Sequence, residues 1–304
     1  MRRATPETIY SFNSAANPVT FTVRPGEVFQ VETLPNAGLA FDSHAGRFTG
    51  KPWAFNASAG CIAVEGAKAG QNVIVHILGI ALDEFGYTSV TDRSIVLPHL
   101  DRASGWEARQ KIVPICKGRV AWSDAVSIPV APMIGYLGVA QPAEVLSNAH
   151  NGPFGGNMDC QEVAVGARVH LPVLVDGARL HIGDVHAVQG DGEIDGAGGI
   201  ETGAVLTLKV ELADRPAQFR NPRIETDAFI ATLGFARPAD AAFAQALDDL
   251  VAWMVADHGF DVTGAHMLLA QVLSARATQY VNPLVTYICR LPREFLRTNR
   301  AVTP

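Results

Sequence analysis

No run of about 18 consecutive apolar residues occurs in this 304-residue chain, so no membrane-spanning helix is expected. No apolar segment follows Met1-Arg2-Arg3 either, which argues against a secretory signal and for a cytoplasmic protein. Cysteine is scarce: Cys61, Cys116, Cys160 and Cys289 are widely and irregularly spaced, with no C-x-x-C pair. That excludes a zinc ribbon or a disulfide scaffold and fits idle thiols in a reducing compartment. Positive charge is not in surplus, with 24 Lys and Arg against 30 Asp and Glu and a net charge of −6. A general nucleic-acid binder would need a basic surface that this chain lacks. A Gly-x-Ser-x-Gly elbow is absent, as is the Gly/Ser-rich signature of Ser-Ser-Lys amidases, so a serine nucleophile is disfavoured.

What remains is an ordinary globular composition, 48% hydrophobic and 18% charged, with enough length for one large domain or two smaller ones. The first two-thirds reads as short strands punctuated by Gly and Pro. Residues 20–23, 27–34 and 73–78 are β-prone runs, and residues 205–212 alternate between two faces. Residues 168–175 also alternate, Asp176-Gly177 suits a tight turn, and residues 179–182 return, which predicts a hairpin. Residues 83–105 show little pattern and are expected to be loops with one short strand at 94–97. Near Pro238 the period becomes helical: Phe243, Leu247, Leu250, Val251 and Met254 make one stripe, and Gly259 supplies a stop. A second helix over 263–273, with Thr263 or Asp261 as its cap, and a final strand over 285–291 follow. The expected architecture is mainly β, a jelly-roll or sandwich-like body over 1–215, with a smaller α/β part over 216–304 packed on it as one unit.

Two polar clusters could carry chemistry. The denser runs from Gly183 to Glu193 and holds Asp184, His186, Gln189, Asp191 and Glu193 among three glycines. Glycines let a backbone approach a ligand, and acids with a histidine can hold a metal or move protons. Hard oxygen donors admit Ca²⁺, but the spacing is not that of an EF-hand, and the histidine favours zinc. The second cluster, Gly155-Gly156-Asn157-Met158-Asp159, is by itself equally well read as an Asx turn. His76, inside an apolar strand, and His44, in a loop, are read as structural, and the Trp and Phe residues as core.

Taken together, Gly155-Gly156-Asn157-Met158-Asp159, the following Leu171-Pro172-Val173, and Gly183-Asp184 through Glu193 resemble the acetamidase/formamidase family. The likeness continues through Gly199-Ile200-Glu201-Thr202, with weaker echoes at 61–70, 129–138 and 265–269. It implies a metal-dependent hydrolase of short aliphatic amides, with small amides as substrates. Position by position, it implies Asp159 and His186 as metal ligands for a divalent ion, zinc before calcium. Glu65, Asp191, Glu193 and Glu201 are its candidate catalytic carboxylates, and Asn157, Asp184 and Gln189 its supporting or substrate-contacting groups. Phe154 stands where family members often carry histidine, which motivates a larger or cyclic amide as the alternative substrate. A non-catalytic metal- or ligand-binding protein is the alternative of another class. The hairpin at Asp176-Gly177 is expected to bring Asp159 and His186 to one rim. The resemblance, with the apolar stretch 128–139, also predicts a homo-oligomer.

Overall fold

The computed structural model describes residues 1–296. Its principal strands are β1 (Arg3–Ala4), β2 (Val28–Thr33), β3 (Gln71–Leu82), β4 (Phe85–Val90), β5 (Met133–Val139), β6 (Gly155–Asn157), β7 (Arg168–Pro172), β8 (Leu180–Gln189), β9 (Ala197–Thr202), β10 (Ala204–Asp214), β11 (Arg223–Glu225) and β12 (Phe229–Ala236). Two helices follow, α1 (Ala239–His258) and α2 (Val262–Val272), then β13 (Ser274–Gln279) and β14 (Val285–Pro292). The protein is mainly β, as its strand-and-turn punctuation predicts.

Among the described residues, nine strands form one sheet in the order β1-β2-β10-β3-β7-β11-β12-β14-β13. A second large sheet contains the run β4-β9-β8-β5-β6. The alternation in β10 is borne out: Leu206, Leu208 and Val210 are buried, while Val205, Thr207 and Lys209 between them are partly exposed. Those three side chains share one core with Val73 and Val75 of the same sheet and with Leu137, Leu180, Ile182 and Val185 of the other. Each such fully buried aliphatic contributes about 1.5–3 kcal/mol, so this layer is what fixes one sheet on the other.

The predicted hairpin over 168–182 does not form. Strand β7 pairs with β3 and β11 in the first sheet, whereas β8 pairs with β5 and β9 in the second. Gly177, Ala178 and Arg179, all left-handed at φ 85°, 55° and 54°, carry the chain between sheets. The turn was legible, but the two apolar strands meet face to face across the core rather than edge to edge. In the 83–105 stretch the strand is β4, not 94–97. Pro98 closes off the latter, and the Ser94 N–H is spent on Leu100 O across a loop.

Helix α1 begins after Pro238 and ends at Gly259, left-handed at φ 73°. Its buried face is Ala242, Ala246, Leu250, Trp253 and Met254, so Phe243, Leu247 and Val251 of the predicted stripe sit at its margin. The side chain of Asp261 accepts a hydrogen bond from the Gly264 N–H and caps α2. Strand β13 is an addition to the expected elements. The boundary drawn at 215/216 falls within one sheet, since β7 on one side pairs with β11 on the other. Residues 133–139 are covered by the protein's own β6 and β8, so this part of the stretch that motivated an oligomer offers a partner no surface. No described helix is long and apolar enough to cross a membrane.

Candidate active site

Strand β5 is the shared neighbour that assembles the site. It pairs with β6 on one edge, Tyr136 opposite Asn157, and with β8 on the other, Met133 opposite His186. Asp159 just beyond β6 and Asp184 within β8 therefore converge on Gly135. A Cβ there would lie 2.6 Å from Asp159 Oδ1 and 2.8 Å from Asp184 Oδ2, so only glycine lets the two carboxylates approach. On the far edge of β8, His186 stands opposite Glu201 of β9. Glu193 enters from the loop between them.

Asp159, Asp184, His186, Glu193 and Glu201 are all buried. Asp159, Asp184 and Glu193 hold left-handed backbones, φ 42°, 54° and 37°, which L-residues adopt at a cost of about 1–3 kcal/mol. His186 Nε2 lies 3.2 Å from Glu201 Oε1 and 3.6 Å from Asp184 Oδ1. Its Nδ1 is 2.8 Å from Gln189 Oε1. Gln189 Nε2 donates to the carbonyls of Asp159 at 2.9 Å and Thr278 at 3.1 Å. With both amide hydrogens engaged, Gln189 offers His186 only an acceptor. Nδ1 must carry hydrogen, and Nε2 is aimed at the carboxylates.

Asn282 donates to Asp159 Oδ2 at 2.5 Å and to Asn157 O at 2.8 Å, and Asn157 donates to Asn282 Oδ1 at 3.2 Å. Even so, Asp159 Oδ1, Asp184 Oδ1, His186 Nε2, Glu193 Oε2 and Glu201 Oε2 have no aligned hydrogen-bond partner among the described residues. Burial, then the neighbouring Asp184, push the Asp159 carboxyl up to about 7. Burial pushes Glu201 up to about 8 against the pull of His186. Glu193 is raised well above the usual carboxylate range by burial and by Asp159. Burial alone would lower His186, but Glu201 and Asp184 outweigh it and hold the imidazole well above its ordinary value.

These donors group around His186 in two ways: Asp159 with Glu193, and Asp184 with Glu201, each set having ligand atoms within 4.8 Å of one another. A tetrahedral Zn²⁺ site with bonds of about 2.0–2.1 Å has edges of about 3.3 Å, and the second set spans His186 at 3.2 and 3.6 Å. The orphaned atoms and the donor types therefore fit a divalent ion.

The structure thus brings together Asp159, Asp184, His186, Glu193 and Glu201, with Gln189 and Asn157 as their supports. It leaves two sequence candidates outside. Glu65 is on an exposed turn, its side chain 64% exposed, and pairs with Arg24 at 3.5 Å. Asp191 is 68% exposed and held by Arg276 at 2.7 Å. Arg276 also binds Glu162 at 2.8 Å and so ties the segment after Asp159 to the one before Glu193. His76 pairs with Glu211 and His44 with Glu84, away from this cluster, as their structural readings expected. Phe154 lies in the inter-sheet core. Asn282 and Thr278 went unseen in the sequence, where Val281-Asn282-Pro283 carries no motif.

An open cleft of about 1190 Å³ lies beside this cluster, with Asn36, Gly196, Ala197 and Asn282 among its lining residues; Asn282 separates it from Asp159.

Residues 151–294 match the model of the Acetamidase/Formamidase family. A predicted acetamidase/formamidase of known structure from Thermoanaerobacter tengcongensis is 31% identical, covers 97% of this chain and 96% of its own, and superposes with a TM-score of 0.89. The chain belongs to the acetamidase/formamidase family. A second member of known structure, the acetamidase of Bacillus halodurans, is 29% identical over 98% of this chain and 100% of its own, with a TM-score of 0.89. The curated relatives align over a shorter stretch. The acetamidase of Mycolicibacterium smegmatis is 47% identical over 58 residues, 19% of this chain and only 14% of that protein. The chain likewise spans 14% of a putative formamidase of Schizosaccharomyces pombe, at 48% identity. The γ-lactamase of Delftia acidovorans, 18% identical with a TM-score of 0.60, shares the fold.

Proposed function

We propose that this member of the family is a metal-dependent amidohydrolase that cleaves a primary carboxamide, of the formamide or acetamide kind, to a carboxylate and ammonia. The observation that carries the reading is the convergence of buried donor atoms without partners on His186 Nε2. Buried polar atoms are nearly always satisfied, so five orphans in one place are a site for something brought from outside. A nitrogen donor among carboxylates suits zinc better than calcium. His186 would hold the ion through Nε2, with Asp159 and Glu193 or Asp184 and Glu201 supplying the oxygen donors. When bound, such an ion supplies Lewis acidity, polarising an amide carbonyl and acidifying water.

The remaining steps belong to the chain. The carboxylate pair that does not hold the ion takes a proton from water and returns it to the departing nitrogen. Pushed-up carboxyls suit that exchange near neutral pH. Asn157 Oδ1, buried and without a partner among the described residues, can accept from the substrate's NH₂ group, while Asn282 keeps Asp159 oriented.

The test is metal analysis of the purified protein followed by ammonia release from formamide, acetamide and propionamide. We expect about one divalent ion per chain, loss of turnover on chelation and its return with Zn²⁺. A protein that hydrolyses no amide in any metal state overturns the amidase reading. One that hydrolyses amides equally well after complete demetallation overturns the metal.

A further inference from the structure

Acetamide has four non-hydrogen atoms, and ligand pockets of about 300–1,000 Å³ already accommodate drug-sized molecules. A cleft of about 1190 Å³ beside the site is out of proportion to so small a substrate. Two of its wall residues connect it to the chemistry. Asn282, in its wall, donates to Asp159. Asn36, also in its wall, accepts from the Tyr87 hydroxyl, and Tyr87 stands opposite Glu201 in the β4–β9 ladder.

The other walls are unlike those of a solvent-filled groove. Trp53, Phe55 and Ile95 line the cleft and stay 43%, 45% and 45% exposed, so three large apolar side chains face the same open space. Trp53 also packs against neighbouring rings. It stacks on Phe48 with centroids 6.1 Å apart at 21°, and meets the Tyr87 ring edge-on at 5.9 Å and 87°. A ring already fixed by its neighbours loses little freedom when a ligand packs against it. Aromatic pairs gain about 0.5–1.5 kcal/mol beyond the area they bury.

We infer that the substrate class is a primary amide whose acyl group ends in an aromatic ring, an arylalkyl carboxamide such as phenylacetamide. The carboxamide lies past Asn282 at the carboxylate cluster and the ring lies against Trp53 and Phe55. This inference rests on the amidase reading above. The reaction balances without a further reagent: water's oxygen bonds to the carbonyl carbon, the C–N bond breaks with its electron pair on nitrogen, and nitrogen takes a proton to leave as ammonia. The second product is an aryl-substituted carboxylate.

Two measurements on the metal-loaded protein test it. The first is kcat/KM for acetamide, hexanamide, succinamic acid and phenylacetamide in the wild type, Trp53→Ala and Phe55→Ala. Phenylacetamide should exceed acetamide by about tenfold or more, and the ratio should fall about tenfold in either variant, through KM. Phe55→Ala guards against misfolding of Trp53→Ala, since Trp53 also supports the Phe48 and Tyr87 rings. The second is calorimetric binding of phenylacetamide, which needs no turnover and should weaken about tenfold in both variants. Hydrolysis of acetamide with no gain for phenylacetamide, or a larger gain for the acid-ended succinamic acid, overturns the aryl class and leaves the amidase standing. Binding that weakens in both variants without hydrolysis of any amide keeps the aryl-selective cleft and overturns the amidase reading. Neither binding nor hydrolysis overturns both.

Discussion

Glu225 and Glu201 are both carboxylates embedded in the sheets of this protein, and their surroundings push them in opposite directions. Glu225 accepts from His170 at 2.9 Å and Arg168 at 3.3 Å and pairs with Arg293. Led by the hydrogen bond from His170, these partners pull it down to about 2. Glu201 has one positive neighbour, His186, shared with Asp184, and burial drives it up to about 8. A half-buried carboxylate matched by neighbouring cations is a finished structural element. One crowded by other carboxylates, with oxygens left unpartnered, is incomplete until a cation comes from solution. The protein builds both kinds.

The sharpest way to break this contrast is His186→Ala. It removes the nitrogen common to both donor sets, so metal content should be lost and kcat/KM should fall about a thousandfold, near 4 kcal/mol of transition-state stabilisation. Elemental analysis and ammonia release read the two together, and circular dichroism checks that the sheets remain. A variant with full metal content and normal turnover would return the cluster to the structural kind. A smaller effect is expected of Gln189→Leu, which leaves every proposed metal ligand in place but frees the imidazole to rotate. Loss of such a support typically costs about 10- to 100-fold in metal affinity. Competition with a chromophoric chelator measures it, and an unchanged affinity would remove Gln189 from the site.

The pH dependence of folding should separate the two clusters without touching activity. Asp159 and Glu201, raised to about 7 and about 8, keep their protons in the folded metal-free protein while the unfolded chain has already lost them. Metal-free stability should therefore fall as pH rises from about 4 to about 8, and metal should flatten that decline. Glu225 has the opposite sign. Its folded value is depressed from 4.5 to about 2, so its contribution is present above 4.5 and lost as pH falls towards 2. Glu225→Gln should cost about 2 kcal/mol at neutral pH and erase the acid-side loss. Thermal melts across pH 3–9 on both proteins, with and without metal, decide it. A metal-free stability that rises between pH 5 and 8 would contradict the assignment of the site carboxyls.

The elements most legible in the sequence were those whose pattern is local. The two-residue alternation of β10, the stripe of α1 and the Asp261 cap depend on residues a few positions apart. The acids of the site were legible because glycines flank them, and two other glycines, Gly135 and Gly199, find their reason in close approaches to Asp159, Asp184 and His186. What could not be read was pairing. A strand, a turn and a strand say that the chain reverses, but not whether edges or faces then meet, and so β7 and β8 were placed together. Isolated residues such as Asn282 and Thr278 carry no local signature. Their role exists only because β13 and the loop after it reach the segment that bears Asp159. Glu65 was drawn in by resemblance alone, at a turn whose exposure no periodicity reveals.

That late-arriving support sets an order of events during synthesis. Every carboxylate of the cluster has been translated well before Thr278 and Asn282, the residues that receive Gln189 and steady Asp159. A chain still on the ribosome therefore carries the complete set of charges without the groups that orient them. On the proposed reading, ion capture by such a chain would proceed on an unclamped site, and correct loading would wait until β13 and β14 join the sheet.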